Sequence, residues 1–117
     1  MKILLAEDER TISRLVIQVL TAEGHEVNAV RSAAEAIQLL PAGKYDLILL
    51  DLHLSDGDGL QVIEAIDSGP AVRPRVIVMT GATLFAAEDP RAARVAAVLH
   101  KPFALHELEA AVRGCGA

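Results

Sequence analysis

The most constraining feature of the sequence is a set of four short apolar runs, each of which ends abruptly in polar residues. The clearest is Leu47–Leu50, four apolar residues followed directly by Asp51. A run so short and so apolar, bounded by turn residues, is typical of a strand buried on both faces. The other three runs end in Glu7-Asp8-Glu9, in Thr80-Gly81 and in His100-Lys101-Pro102. If these strands are parallel, their ends bring acids, a hydroxyl and an amine to one edge of one sheet.

Apolar residues at helical spacing separate five predicted strands. The strands are predicted over Lys2–Ala6, Val27–Val30, Asp46–Leu50, Arg75–Met79 and Ala97–Leu99. The helices between them are predicted to end at Gly24, at Pro41 after a capping box of Ser32 and Glu35, before Ser68, near Val95 and at Gly114. For the helix that ends near Val95, Asp89 is the predicted N-cap and Pro90 the first residue. Strict alternation of strands and helices predicts an α/β fold, a flavodoxin-like, doubly wound, five-stranded parallel sheet of order 2-1-3-4-5, in a single domain over residues 1–117.

Composition narrows the range of functions. The chain has 117 residues, of which 52% are hydrophobic but only 3% aromatic, so the core must be aliphatic. A net charge of -5 without a cluster of basic residues argues against direct binding of nucleic acid. The apolar runs are too short to span a bilayer, and the first residues lack the layout of a signal peptide. With one cysteine, Cys115 in a glycine-flanked tail, these features predict a cytoplasmic protein that does not associate with membranes.

The charges at the predicted sheet edge point to a metal site. Glu7, Asp8 and Asp51 bring three negative charges to this edge, and Lys101 brings one positive charge. Like charges a few ångströms apart cannot all stay ionised without help. A hard divalent cation provides that help, and Mg2+ suits one or two carboxylates completed by waters.

A magnesium site beside a free carboxylate and a lysine favours a phosphoryl group as substrate. In this interpretation Asp51 is the nucleophile and forms an aspartyl phosphate. Lys101 neutralises the phosphoryl oxygens together with the metal, Thr80 donates a hydrogen bond to one of them, and Gly81 leaves room beside them. Each of these residues is common in a structural role, so the interpretation rests on their joint placement at strand ends.

With these residues in place, the whole chain resembles the response-regulator receiver domain of two-component signalling, both in its stand-alone form and as found in hybrid kinases. The resemblance rests on Glu7, Asp8, Asp51, Gly59 eight positions later, Thr80 and Lys101-Pro102-Phe103. It implies that Asp51 accepts a phosphoryl group from a phosphohistidine, and that the domain catalyses only its own phosphorylation and dephosphorylation. It also implies that Asp8, Asp51 and the backbone carbonyl of His53 bind Mg2+, with Glu7 acting through water, and that the Lys101–Pro102 bond is cis.

The resemblance further implies the partners. These are a sensor histidine kinase or a histidine phosphotransfer protein, which donates the phosphoryl group, and a downstream protein that recognises the switched surface. The expected state is a monomer or weak dimer. Whether the chain is a whole protein or one domain of a larger hybrid kinase or regulator stays open.

The chain departs from the family pattern where the signal would leave the site. Ser55 stands where the family often has proline, and Val98 stands where it has a switch aromatic. Valine is short and stiff at its first side-chain torsion, so it cannot swing inward as an aromatic would. The segment Gly81–Asp89 is therefore the predicted readout.

Two other functions and a calcium loop fit the sequence less well. A pseudo-receiver, which binds proteins without phosphorylation, is disfavoured by the complete set of site residues. A phosphohydrolase of the haloacid-dehalogenase type needs a second aspartate two positions after the first, where this chain has His53. A calcium loop that starts at Asp51 lacks the closing acid, because its twelfth position is Val62.

Overall fold

In a computed structural model of the chain, the residues described are 1–54, 56–67, 73–81 and 95–116. The strands are β1 (Lys2–Ala6), β2 (Glu26–Val30), β3 (Leu47–Asp51), β4 (His53–Leu54), β5 (Gly57–Asp58), β6 (Arg75–Thr80) and β7 (Val95–His100). The helices are α1 (Arg10–Ala22), α2 (Ala33–Gly43), α3 (Leu60–Asp67) and α4 (Leu105–Gly116). Five strands form one parallel sheet in the order β2-β1-β3-β6-β7, and β4 and β5 form a small antiparallel hairpin. Leaving the hairpin aside, this is the predicted order 2-1-3-4-5.

The sheet is covered on both faces. Ile3 and Leu5 of β1 lie in the core cluster that includes α1 and α4, whereas Leu4 lies in the cluster that includes α2 and α3. All five residues of β3 are buried, as expected for a central strand of a parallel sheet with helices on both sides. The central strands are therefore accessible at their two ends. The polar residues lie at the carboxyl ends.

Helix α2 begins with two side-chain caps. The hydroxyl oxygen of Ser32 accepts a hydrogen bond from the backbone N–H of Glu35 at 3.1 Å, which confirms Ser32 as the predicted N-cap. Asp56, which lies between β4 and β5, accepts from the backbone N–H groups of Ala33 at 2.9 Å and Ala34 at 3.1 Å. Three of the N–H groups that a helix start leaves without intrahelical partners are thus satisfied. The caps also tie α2 to the hairpin that follows Asp51.

Two predicted helix ends were wrong. Helix α2 runs two residues past Pro41, because a proline in the last turn forfeits a single hydrogen bond there; the helix stops where Lys44 adopts a left-handed conformation, with φ of 52°. Helix α4 continues past Gly114 to Gly116. Cys115 is consequently part of the helix and packs against the core, whereas the sequence indicated a tail.

The last strand and the segment before it also differ from expectation. Val95, the predicted end of a short helix, is the first residue of β7, where it pairs with Val76 and packs against the core. β7 is therefore longer than the predicted Ala97–Leu99, and its register with β6 shifts between Val76 and Ile77. The predictions that concern Ser55, Ser68, Gly81–Asp89 beyond Gly81 itself, and Pro90 lie outside the described residues.

None of the helices in the described part of the chain is long and apolar enough to cross a membrane.

The cap that Asp56 provides predicts a pH-dependent stability. Hydrogen bonds from the N–H groups of Ala33 and Ala34 lower the pKa of Asp56, because they favour the ionised carboxylate. A carboxylate whose pKa is lowered on folding adds stability above its unfolded pKa of about 3.9, and this stability is lost as the pH falls through the folded pKa. Urea denaturation should therefore show a gap between wild type and Asp56→Ala that is largest near neutral pH and closes in acid.

Ser32→Ala provides the matched control on the same helix. It removes an uncharged cap, so it should lower the free energy of unfolding by about 1 kcal/mol at all these pH values. A gap for Asp56→Ala that is equally wide in acid and at neutral pH would contradict the proposed origin of the effect.

Candidate functional site

Three carboxylates meet at the carboxyl edge of the sheet. Glu7 and Asp8 directly follow β1, and Asp51 is the last residue of the neighbouring strand β3. One carboxylate oxygen from each of the three lies within 4.8 Å of the other two. Glu7 and Asp51 are buried, and Asp8 is half-buried. The N–H of Glu7 donates to the carbonyl of Val30 at 3.1 Å, which fixes the chain as it leaves the sheet.

Lys101 links two of these acids. Its Nζ donates to Oε1 of Glu7 at 2.6 Å and to Oδ2 of Asp51 at 3.2 Å. Its backbone N–H donates to the carbonyl of Thr80 at 2.8 Å, and the Lys101–Pro102 peptide bond is cis, as the resemblance implied. Thr80 is fully buried at the end of β6, one residue beyond Met79, which is the partner of Asp51 in the sheet register. Fold and local contacts thus bring all the predicted site residues to one edge.

Backbone hydrogen bonds orient the two buried carboxylates. Oδ1 of Asp51 accepts from the N–H of His53 at 3.0 Å, while its Oδ2 faces Lys101. In the same way, Oε2 of Glu7 accepts from the N–H of Glu9 at 3.1 Å, while its Oε1 faces Lys101. Each carboxylate is therefore held through both of its oxygens. An aspartate at a strand end commonly caps the next helix, but Asp51 is directed toward the acid cluster instead.

Burial and charge act on this cluster in opposite directions. Burial raises the pKa of Glu7, and the hydrogen bonds from Lys101 and the Glu9 N–H only partly offset that effect. Burial alone would lower the pKa of Lys101, but its contacts with Glu7 and Asp51 outweigh burial and raise it. The two shifts are compatible because the two buried carboxylates of Glu7 and Asp51 share one ammonium. Lys101 stays protonated, and Glu7 is a carboxyl group that ionises reluctantly without more positive charge.

The cluster fits Mg2+. Its donors are carboxylate oxygens, the hard ligands that this cation prefers, and they converge from two adjacent strand ends. Among the described residues, these three acids are the one group of three or more metal-ligating side chains close enough to share an ion. A bound cation would also supply the positive charge that a buried Glu7 lacks.

Gly59 allows the hairpin after Asp51 to close on the site. A Cβ atom at this position would lie 2.5 Å from the carbonyl oxygen of Asp51 and 2.9 Å from the Cα of Leu52. The N–H of Gly59 donates to the carbonyl of Leu52 at 2.9 Å, so the close approach is part of the turn. Gly81 differs, because a Cβ there would lie 3.8 Å from the Cβ of Lys101, an ordinary contact.

One predicted role at the site stays a prediction, and other features near the site were not predicted from the sequence. His53 contributes its backbone N–H to Asp51, and its side chain is exposed; the role predicted for its carbonyl as a metal ligand stays a prediction. Asp56 caps a helix that begins 23 residues earlier, and no local pattern in the sequence indicates this role. The sequence analysis assigns no role to Arg10 and Arg14. Two basic residues four apart at the start of a helix are nevertheless an unusual pattern.

Comparison with known proteins agrees with this geometry. The family model of the response regulator receiver domain matches residues 3–113. The transcriptional regulatory protein BasR of Escherichia coli is 36% identical over 120 residues, a match that covers 97% of this chain and 51% of BasR. The chain spans about half the length of BasR and of two other curated relatives that it matches.

Two solved structures that resemble this chain contain magnesium. The receiver domain of a sensor histidine kinase of Pseudomonas aeruginosa, with a magnesium ion coordinated in its active-site cleft, is 26% identical with a TM-score of 0.83 and covers 99% of this chain and 98% of its own. The response regulator TrrA of Thermotoga maritima, in complex with Mg2+ and BeF, is 26% identical with a TM-score of 0.84, and the match covers 97% of both chains.

A doubly wound sheet that gathers three acids, a buried threonine and a lysine at its carboxyl edge defines a receiver-type signalling domain. The chain belongs to the response regulator receiver domain family, and its role is in two-component phosphorelay signalling. The phosphohydrolase and pseudo-receiver alternatives are not favoured.

The close approach at Gly59 predicts a selective cost of adding one methyl group. Gly59→Ala places a Cβ against backbone atoms of Asp51 and Leu52 that cannot move aside cheaply, so it should lower the free energy of unfolding by about 1–3 kcal/mol. Gly114→Ala is the matched control: it lies within α4 with nothing within 4 Å of a Cβ, so it should be neutral or raise stability by up to about 1 kcal/mol. Equal denaturation midpoints for the two variants would contradict this role of Gly59.

Proposed function

We propose that this domain accepts a phosphoryl group on Asp51 from the phosphohistidine of a sensor histidine kinase or a histidine phosphotransfer protein. The observation that carries the proposal is the orientation of Asp51. Its carboxylate is held between the N–H of His53 and Nζ of Lys101, within 4.8 Å of carboxylate oxygens of Glu7 and Asp8. A nucleophile is held at the edge of a sheet, beside the residues that suit a magnesium ion.

The transfer makes one bond and breaks one. A carboxylate oxygen of Asp51 attacks phosphorus, the new O–P bond forms, and the P–N bond of the phosphohistidine breaks with its electron pair left on the imidazole nitrogen. Asp8, Asp51 and the backbone carbonyl of His53 would hold the ion, with Glu7 acting through water. When bound, Mg2+ offsets the charge of the carboxylates and of the phosphoryl oxygens.

Lys101 has a part before and after transfer. In the structure its ammonium neutralises Glu7 and Asp51, which keeps two buried carboxylates close together. Once a cation and a phosphoryl group are present, the same ammonium lies where it can donate to a phosphoryl oxygen, and the hydroxyl of Thr80 can donate to another. Because these contacts form only after transfer, they favour a second conformation of the domain.

The domain acts within a larger signalling system. The domain catalyses only its own phosphorylation and dephosphorylation, and a downstream protein recognises the phosphorylated form. Relatives about twice as long as this chain carry the receiver as one part of a regulator, so the output belongs to that longer protein or to a separate partner. The readout predicted for Gly81–Asp89 lies outside the described residues apart from Gly81, and it stays a prediction.

The nucleophile is tested directly with Asp51→Asn. This variant keeps the shape of the side chain but removes the carboxylate, so acid-labile phosphorylation by acetyl phosphate with Mg2+ should fall to background in mass spectrometry. Asp46→Asn is the matched control: Asp46 accepts from the backbone N–H of Lys2 at the start of β1, at the opposite edge of the sheet. It should be phosphorylated like wild type. Phosphorylation of Asp51→Asn at the wild-type rate would falsify the proposal.

A second prediction separates the charge of Lys101 from its role in the switch. In the structure Nζ of Lys101 contacts two of the carboxylates that a cation would use, so it competes with Mg2+. Lys101→Ala should therefore bind Mg2+ more tightly, by about tenfold if the removed repulsion is near 1.4 kcal/mol. The variant should still lose the conformational change that follows phosphorylation, because no ammonium meets the phosphoryl oxygens.

Isothermal titration with Mg2+ and amide exchange with a beryllofluoride mimic measure these two effects. Lys44→Ala, an exposed lysine at the end of α2, removes the same charge without entering the site and should leave both unchanged. Loss of metal binding in Lys101→Ala would mean that the lysine is needed to build the site rather than to read it.

A further inference from the structure

A cavity with a basic rim adjoins the acid cluster. It has a volume of about 200 Å³ and is lined by Glu7, Asp8, Arg10, Ser13, Arg14 and Arg31. Glu7 and Asp8 belong to the acid cluster as well, so the cavity and the candidate magnesium site share a wall.

The three arginines reach the cavity from two elements. Arg10 and Arg14 occupy the first and fifth positions of α1, four residues apart, so they lie on the same side of the helix. Arg31 directly follows β2, whose last residue, Val30, accepts the hydrogen bond from the N–H of Glu7. The sheet edge therefore brings Arg31 and the start of α1 to the same place.

These arginines lack carboxylate partners within the described residues. Of the six arginines that the structure describes, Arg73 pairs with Asp67 and Arg113 pairs with Glu23 and Glu109. The other four are Arg10, Arg14, Arg31 and Arg75, for which no carboxylate oxygen of the described residues lies within 4.0 Å. Three of the four line this one cavity, although the chain as a whole carries an excess of acids.

The placement of Arg10 and Arg14 is unfavourable for the helix alone. The start of a helix carries partial positive charge and favours acidic residues, yet the first turn of α1 has none. Two like charges four residues apart also repel each other. A local pattern that opposes helix stability is expected where a function requires it. Solvation explains why such residues can be tolerated, but it does not explain why three of them converge on one cavity.

We propose that this cavity binds a carboxylate group carried by the phosphodonor, beside the phosphoryl group that is transferred to Asp51. The inference rests on the proposed function of Asp51. The planar guanidinium group matches a carboxylate with two parallel hydrogen bonds, and three residues that carry this group line a cavity of about 200 Å³. A cation held by Asp8 would neutralise the negative wall of the cavity and leave the basic rim to attract the donor.

The carboxylate has two possible sources. One is a small acyl phosphate with a second anionic group, and the other is an acidic side chain next to the phosphohistidine of a donor protein. Two pairs of donors distinguish them: benzoyl phosphate against 4-carboxybenzoyl phosphate, and a phosphohistidine peptide with an adjacent glutamate against the same peptide with glutamine. The readout is the ratio of apparent second-order rate constants within each pair, measured with saturating Mg2+ at low ionic strength. Because each ratio compares two donors with the same protein variant, any effect of the substitution that is equal for both donors cancels.

In wild type the donor with the extra carboxylate should react faster, by about tenfold at low salt, and this advantage should shrink as salt is added. Arg14→Gln should reduce the ratio, and the triple change Arg10→Gln, Arg14→Gln and Arg31→Gln should bring it to one. Arg75→Gln is the matched control, since Arg75 is also unpaired but lies at the amino end of β6, and it should keep the wild-type ratio. An advantage in one donor pair alone identifies the source and supports the proposal.

Two results would overturn the proposal: a ratio of one in wild type for both donor pairs, or an unchanged ratio in the triple variant.

A second measurement does not depend on phosphorylation. Terephthalate, a dicarboxylate without a phosphoryl group, is titrated into the Mg2+-loaded protein while the arginine Nε–Hε resonances are followed by NMR. Saturable shifts at the three cavity arginines and not at Arg75 are expected, and their absence would also overturn it. If no donor phosphorylates wild type, the function proposed for Asp51 fails, and this titration still decides whether the cavity binds a carboxylate.

Discussion

The contact between Lys101 and the carboxylates of Glu7 and Asp51 is the interaction that holds these two buried acids close together before a cation binds. Lys101 lies 94 positions after Glu7 and 50 positions after Asp51 in the sequence. The three residues lie at the ends of the first, third and last long strands of the sheet. One ammonium cannot balance three carboxylates, so the cluster keeps a net negative charge, and burial raises the pKa of Glu7. The protein thereby holds a site that gains stability from a cation that offsets this negative charge. Such a linkage is what couples ligand binding to conformation.

The scaffold makes this arrangement possible by being apolar and continuous elsewhere. β3 is buried along its whole length, and the alternate residues of β1 are divided between two aliphatic cores. Side chains held by close packing on both faces leave the strand ends little freedom to move apart under their mutual repulsion. Gly59 extends this constraint to the loop, because its turn lies against the carbonyl of Asp51. Repulsion within the cluster is therefore opposed by the packing of the sheet as well as by Lys101.

The sequence predicted the parts of the molecule that depend on local pattern. Continuous apolar runs identified four of the five long strands, and the polar residues after those runs predicted which side chains meet at the carboxyl edge, since parallel strands must end at a common edge. The wrong helix ends share another cause. Pro41 is tolerated because it stands in a last turn, and Gly114 does not stop α4 because Cys115 gains contacts with the core. The role of Asp56 depends on where a hairpin meets a helix that begins 23 residues earlier, which no local pattern shows. Tertiary contacts decided the last two of these cases.

The acid cluster and the arginine cavity pose one electrostatic problem. A domain of net charge -5 that concentrates three of its carboxylates at one edge of the sheet should repel a phosphodonor, which is itself an anion. At physiological ionic strength, charges separated by more than about 8 Å are largely screened, so what a donor meets is the local distribution of charge and not the total. Around the site that distribution is divided, because acids face the position of the cation and arginines surround the adjoining cavity. An edge divided in this way can attract a cation and an anionic donor at the same time, which a uniformly acidic or basic edge cannot do. Arg10 and Arg14 therefore explain how an acidic domain could accept a negatively charged group, and they do so at the expense of the helix that carries them.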